Sequence, residues 1–288
     1  MPPAAIRART FAKINLALRI IGVRRDGYHE LRTIFQAIGL FDTLTVRQRP
    51  GPFEITCDDP AVPTDGTNLV ARAAAVAWDA RARKGPPRDI AVHIRKRIPL
   101  QAGLGGGSSD AATMLRILAD LWHVRKDRLR FIARAVGADV PFFLFGGRAM
   151  GLGRGDRIVR LPDLPPAHVL IVKPSFGVNT RDAYDWWDRD RRGNKPSGPQ
   201  IAARHLQAVN DLQDPVTRRH PEIAGIIEEL FQSGAKQAAM SGSGAAAFGL
   251  FARAAAAQSA AEVLRRRGRR IETARTLTSA QCRALAPK

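Results

Sequence analysis

Apolar and polar positions alternate through residues 9–21, where Ile14, Leu16, Leu18 and Ile20 fall between Lys13, Asn15, Ala17 and Arg19. A period of two predicts a strand, and it sets Lys13 and Asn15 on one face about 7 Å apart. Glycines at 22 and 27 interrupt the pattern. Strand-like stretches recur at 33–40, 42–47 and 90–95. The Ala-rich interval 68–83 reads as a helix that Gly85-Pro86-Pro87 brings to an end. Gly103-Leu104-Gly105-Gly106-Gly107 is a loop by composition. Ser108, Ser109 and Asp110 follow it as good helix caps, and then Ala111, Met114, Leu115, Leu118, Leu121 and Trp122 recur at helical spacing. The unit is strand, glycine loop, helix, with a second helix over 126–136. A composition break at 151–166 predicts a boundary between a domain of residues 1–160 and one of 161–288. Beyond it come a strand at 169–172, a helix at 222–231, and an apolar strand at 245–251 after the small-residue loop Ser241-Gly242-Ser243-Gly244. Residues 188–200, rich in Arg, Gly and Pro, read as an exposed excursion.

Composition narrows the function classes. The chain has 288 residues, 45% of them hydrophobic and 25% charged, as in an ordinary soluble protein. It carries no apolar run long enough to span a bilayer and no signal-peptide pattern at its start, so a cytoplasmic enzyme with no membrane partner is expected. Two cysteines, Cys57 and Cys282, make neither a disulfide framework nor a zinc site and predict unpaired thiols. The net charge of +20 raises a nucleic-acid-binding alternative. Most arginines are dispersed, however, and the dense run at 264–270 is expected on the solvated face of a helical tail. A positive field equally favours capture of a small polyanion.

The stretch Pro99, Leu100, Gln101, Ala102, Gly103, Leu104, Gly105, Gly106, Gly107, Ser108, Ser109 carries the clearest chemistry. Consecutive glycines leave backbone amides bare, and a helix starting directly behind them adds its own amides and positive dipole end. Together these make a phosphate cradle. No Gly-Lys-Ser/Thr follows, so the loop is not a Walker A motif. The glycine spacing is not that of a dinucleotide-binding turn, and no protein-kinase segments accompany it.

This loop resembles the second motif of the GHMP kinases, PxxxGLGSSAA. Phe11-Ala12-Lys13-Ile14-Asn15-Leu16 resembles the first motif and Ser241-Gly242-Ser243-Gly244-Ala245 the third, in the family's order across nearly the whole chain. Arg25-Asp26-Gly27-Tyr28-His29-Glu30-Leu31, Gly137-Ala138-Asp139-Val140-Pro141-Phe142-Phe143 and Asn210-Asp211-Leu212 are similar to segments of one branch, the kinases of 4-diphosphocytidyl-2-C-methyl-D-erythritol. Gln101-Ala102 departs from the pattern, since glycines are frequent there. The resemblance implies an α+β fold, with a ribosomal-protein-S5-domain-2-like N-terminal domain and a ferredoxin-like C-terminal domain. ATP and a small-molecule substrate would meet in the cleft, with no nucleic acid, in a monomer or homodimer. It implies Asp139 as the base toward the substrate hydroxyl and Lys13 as its cationic partner. Asn15, Tyr28, His29, Thr180 and Tyr184 would bind substrate, Tyr28 and His29 at the cytosine, with Tyr184 as second stacking partner. Mg²⁺ would accompany ATP, with Ser109 as the candidate protein ligand. On residue pattern alone Asp139 also suits a helix N-cap before Pro141, and Lys13 a solvated strand position. Another GHMP kinase substrate, such as mevalonate, homoserine or a sugar, is the nearest alternative.

Overall fold

The computed structural model describes residues 5–190, 208–266 and 268–285. The alternation at the start becomes β1 (Ile6–Val23), which pairs antiparallel along its length with β2 (His29–Pro52). The two stretches expected at 33–40 and 42–47 are one strand. Gly39 and Leu40 form a bulge where the register steps from Phe11–Phe41 to Ala12–Ile38, so the strand bends without ending. A second bulge at Leu16 breaks the simple alternation. β3 (Glu54–Cys57) and β4 (Arg88–Arg95) extend the sheet beyond β2, and β5 (Arg148–Gly153) with β6 (Arg157–Arg160) adds a hairpin at its other end.

Helices cover one face of this sheet. They are α1 (Leu69–Asp79), α2 (Gly106–Leu121), α3 (Leu129–Val136, after a 3₁₀ turn at Lys126–Arg128) and the short α4 (Val140–Phe143). Their apolar sides close a core in which Trp78 and Trp122 meet edge to face at 4.9 Å, and Phe142 packs against Phe11, Phe35 and Phe143. Asn68, not singled out in the sequence, caps α1 by accepting from the Val70 amide at 2.8 Å.

The second sheet is antiparallel, in the order β11 (Arg270–Arg275), β7 (His168–Lys173), β10 (Ala247–Phe251), β9 (Gln237–Met240). α5 (Thr180–Asp190), α6 (Gln213–Arg219), α7 (Pro221–Gln232) and α8 (Ala254–Leu264) pack around it. A third apolar cluster joins the sheets, with Ala12, Ile14 and Ile38 against Ile171, Ala239 and Phe248. The chain crosses back twice: β8 (Val209–Asn210) adds a parallel strand beside β1, and α9 (Ser279–Ala284) buries Cys282 in the helix-covered core of the first sheet. No helix among the described residues is long and apolar enough to cross a membrane.

Three expectations need correction. The excursion expected at 188–200 begins as helix, because residues 188–190 are the end of α5; positions 191–200 lie outside the described residues. The basic run is solvated, with Arg265, Arg266 and Arg270 exposed, but it is not helical. α8 stops at Leu264, Gly268 turns at φ +85°, and Arg266 and Arg269 reach Glu229 at 3.3 and 2.7 Å. Finally, α2 begins at Gly106, so Ser108, Ser109 and Asp110 lie inside its first turns. Gly105, at φ 72°, occupies the cap position.

Asp110 thereby takes a structural task beneath the loop. It accepts from Thr10 Oγ1 at 2.7 Å and from Lys96 Nζ at 3.0 Å, while Lys96 also bonds Asp42. Asp42 in turn accepts the Arg97 and Ile98 amides at 2.5 and 2.7 Å, which pins the segment entering the glycine loop. Burial, with Asp42's charge adding and Lys96 opposing, pushes the Asp110 carboxyl from 3.8 up to about 6. Burial works against the Lys96 charge, but Asp110 and Asp42 outweigh it and raise its pKa. A carboxyl that binds its proton more tightly in the folded state contributes most to stability below its unfolded value of 3.8, and that contribution declines as pH rises through about 6. We therefore expect a smaller fall in stability between pH 4 and 6 for Asp110→Asn than for the parent, whatever the fixed cost of the substitution. Urea unfolding at constant ionic strength measures it.

Candidate active site

A cavity of about 890 Å³ opens between the sheets. Pro99 to Ser108 form one wall, Lys13, Asn15 and Asp139 the floor, and Tyr28, His29, Thr180 and Tyr184 the far end, with Gly242 and Ser243 between. The structure thus brings together nearly all the residues singled out in the sequence. Ser241 and Gly244 of the third motif lie outside the cavity's lining, and so does Ser109. The Ser109 hydroxyl is buried, without a hydrogen-bond partner, whereas Ser108 lines the cavity.

Lys13 is far from the solvated strand position that residue pattern allowed, at 3% exposure. Its Nζ donates to Asn15 Oδ1 at 2.6 Å and to the Gly103 carbonyl at 2.7 Å, and lies 3.5 Å from Asp139 Oδ2. Asn15 is itself oriented by donating to Thr33 Oγ1 at 2.7 Å, and that hydroxyl donates to the Ala17 carbonyl. Burial lowers the Lys13 pKa from 10.5, and Asp139 partly restores it. Asp139 stands where a helix cap would, before Pro141 in α4, yet its side chain makes no capping bond. A third of it is exposed to the cavity beside Lys13.

The two glycine loops interlock through backbone. Ser241 Oγ donates to the Gly103 carbonyl at 2.9 Å, and the Ala245 amide donates to the Gln101 carbonyl at 3.1 Å. Gln101 adopts φ +48°, so the residue that departs from the glycine-rich family pattern still takes a conformation that suits glycine. Asn210 ties the third motif to the strand beside β1, donating to the Met240 and Gly242 carbonyls at 2.9 and 2.7 Å. Ser243 Oγ meets Thr180 Oγ1 at 3.0 Å, at the start of α5.

At the far end His29 stacks on Tyr184 at 4.7 Å, stands edge-on to Trp187 at 5.5 Å and bonds Asp188 through Nε2 at 2.9 Å. Burial, and then the charge of Asp139, raise the Tyr184 phenol above its ordinary value. Tyr28, at 56% exposure, packs on no core, and the Arg154 guanidinium lies 4.9 Å over its ring. Sequence reasoning missed Arg154, Asp188 and Lys96, all of which line the cavity. Arg154 had one local signal, its place between Gly153 and Gly155, both at positive φ. Among the described residues no group of three His, Cys, Asp or Glu side chains is arranged to hold a metal ion.

Comparison with known proteins gives this cavity a context. Two family models match, the GHMP kinases N terminal domain over residues 68–147 and the GHMP kinases C terminal over 199–270. A protein of Anaeromyxobacter sp. (strain Fw109-5) named 4-diphosphocytidyl-2-C-methyl-D-erythritol kinase is 45% identical, over 86% of this chain and 83% of its own length. One of the same name from Solibacter usitatus is 42% identical over 84% of this chain and 80% of its own. A crystal structure of 4-(cytidine 5'-diphospho)-2C-methyl-D-erythritol kinase superposes with a TM-score of 0.74 at 34% identity, covering 94% of this chain and 99% of that one. Homoserine kinase from Cytophaga hutchinsonii shares the fold, with a TM-score of 0.68 at 18% identity over 99% and 97% of the two chains.

The interlocked loops make a sharp contrast testable. At Gly103, with φ +68°, a Cβ would lie 1.9 Å from the Ser241 carbonyl oxygen. At Gly107 the nearest atom, Leu69 Cδ1, is 3.7 Å away. Gly103→Ala is expected to cost more than about 2 kcal/mol. Gly107→Ala is expected to be neutral or to stabilise by up to about 1 kcal/mol, because it replaces glycine inside a helix. Chemical denaturation of the two variants distinguishes them.

Proposed function

The chain belongs to the GHMP kinases, in the 4-diphosphocytidyl-2-C-methyl-D-erythritol kinase branch, and from that premise we propose that it transfers the γ-phosphoryl of ATP to the 2-hydroxyl of that substrate, releasing ADP. The observation that carries this reading is the buried Lys13 ammonium, 3.5 Å from Asp139 and 2.7 Å from the Gly103 carbonyl of the glycine loop, at the floor of one cavity. Phosphoryl transfer asks the protein mainly for positioning and for charge where charge develops. Bare amides of Gly103 to Gly107 and the start of α2 receive the triphosphate. Lys13 stabilises the moving phosphoryl charge and fixes the Asp139 carboxylate. Asp139 takes the proton of the attacking hydroxyl as the bond to phosphorus forms and the bond to the ADP oxygen breaks. Asn15, held by Thr33, orients Lys13 and the substrate alcohol. Tyr28, His29 and Tyr184 receive the cytosine at the far end, with Thr180 beside them.

Mg²⁺ would supply further charge neutralisation when bound. The protein offers it few hard ligands. The Ser109 hydroxyl lacks a partner but does not line the cavity, so the residues present would hold the ion chiefly through the bound nucleotide.

Asp139→Asn should lower kcat by roughly 10²–10⁴-fold while leaving ATP binding intact, as read by steady-state kinetics beside nucleotide titration. Near-normal turnover would remove Asp139 from the chemistry. Lys13 must stay protonated to serve, and burial lowers its pKa from 10.5. The rate should therefore decline with rising pH on a limb centred below 10.5, and a profile flat through that value would remove the ammonium from the rate-determining step.

A further inference from the structure

One turn of α5 is arranged around a single imidazole. Tyr184, Trp187 and Asp188 stand at positions i, i+3 and i+4 and so share a helix face. All three engage His29: a stacked ring at 4.7 Å, an edge at 5.5 Å and a carboxylate oxygen 2.9 Å from Nε2. The ring can neither slide nor tilt freely, and its side chain is 11% exposed. Among the described residues Asp188 is its hydrogen-bond partner.

A carboxylate accepts hydrogen bonds and cannot donate them. In the neutral imidazole one nitrogen carries the hydrogen and the other a lone pair. Bonding Nε2 to Asp188 therefore places the hydrogen on Nε2 and leaves Nδ1 as an acceptor. A base that offers an exocyclic amino group satisfies that lone pair, and a base with a carbonyl in the same place opposes it. Cytosine and uracil differ in this respect at C4.

We propose that Asp188 is a specificity-determining positioning residue: it fixes His29 as the Nε2–H tautomer, so that Nδ1 selects the amino group of a cytidine substrate and rejects its uridine counterpart. The inference deepens the function proposed above and rests on it. An asparagine at 188 can turn its amide NH₂ toward Nε2, and the hydrogen then moves to Nδ1.

The experiment compares the cytidine substrate with its uridine analogue in the parent, Asp188→Asn and Asp188→Glu. Asp188→Asn should raise KM for the cytidine substrate with little change in kcat, and reduce the ratio of kcat/KM values by roughly 10-fold, the effect of one hydrogen bond turned from attraction to opposition. Asp188→Glu should restore the ratio, whereas a merely structural role would lower both substrates alike. Independently of turnover, ¹⁵N NMR of His29 should show a pyridine-like Nδ1 in the parent and its loss in Asp188→Asn. A hydrogen on Nδ1 in the parent overturns the proposal. So does an unchanged ratio in Asp188→Asn, and in an active parent that result leaves the kinase reading standing. A parent inert toward the cytidine substrate overturns the kinase reading and the selectivity together.

Discussion

A positive charge buried at the meeting point of two sheets constrains everything around it. An isolated ammonium in such a place is expensive unless oxygens surround it. Lys13 has three: the Asn15 amide, the Gly103 carbonyl and the Asp139 carboxylate. Each comes from a different part of the chain, so satisfying the one cation fixes β1, the glycine loop and the start of α4 relative to one another. The cost that remains is visible as the lowered Lys13 pKa. A charge held this way is preorganised: it does not have to be stripped of water when a phosphoryl group arrives.

The backbone contact of the two glycine loops completes the arrangement. Gly103 is pressed against the Ser241 carbonyl, and its own carbonyl serves both Lys13 and the Ser241 hydroxyl. One peptide group thus links the cation to the second sheet. Asn210 holds the third motif from behind, and the Asp42–Lys96–Asp110 cluster holds the helix that begins at the loop. The floor of the cavity is supported on both sides by polar bonds inside the protein, not by exposed loops.

Much of this was legible in the sequence. The glycine run followed by helical periodicity marked the loop that lines the cavity and leads into α2, because backbone exposure and helix start are local properties. The alternation at 9–21 put Lys13 and Asn15 on one face, and they touch. Other features were not locally encoded. The bulge at Gly39–Leu40 depends on pairing with β1. Nothing near Asp139 announces that its carboxylate turns to Lys13 instead of capping α4; the motif resemblance supplied that pairing. Asp188 looked like the start of a polar excursion, and its importance lies in a histidine 159 positions away. Contacts of that span arise from tertiary packing, which periodicity does not reach.

The last helix has a consequence for how the molecule is made. Cys282 fills the core built by residues of the first half, the Gly147 amide donates to its sulfur at 3.3 Å, and the Leu277 amide donates to the Ala37 carbonyl. A nascent chain emerging from the ribosome lacks this wedge until both sheets have been synthesised. The first sheet and its helices therefore stay incomplete until the second sheet is also present, and maturation of the two is joined in time as well as in space.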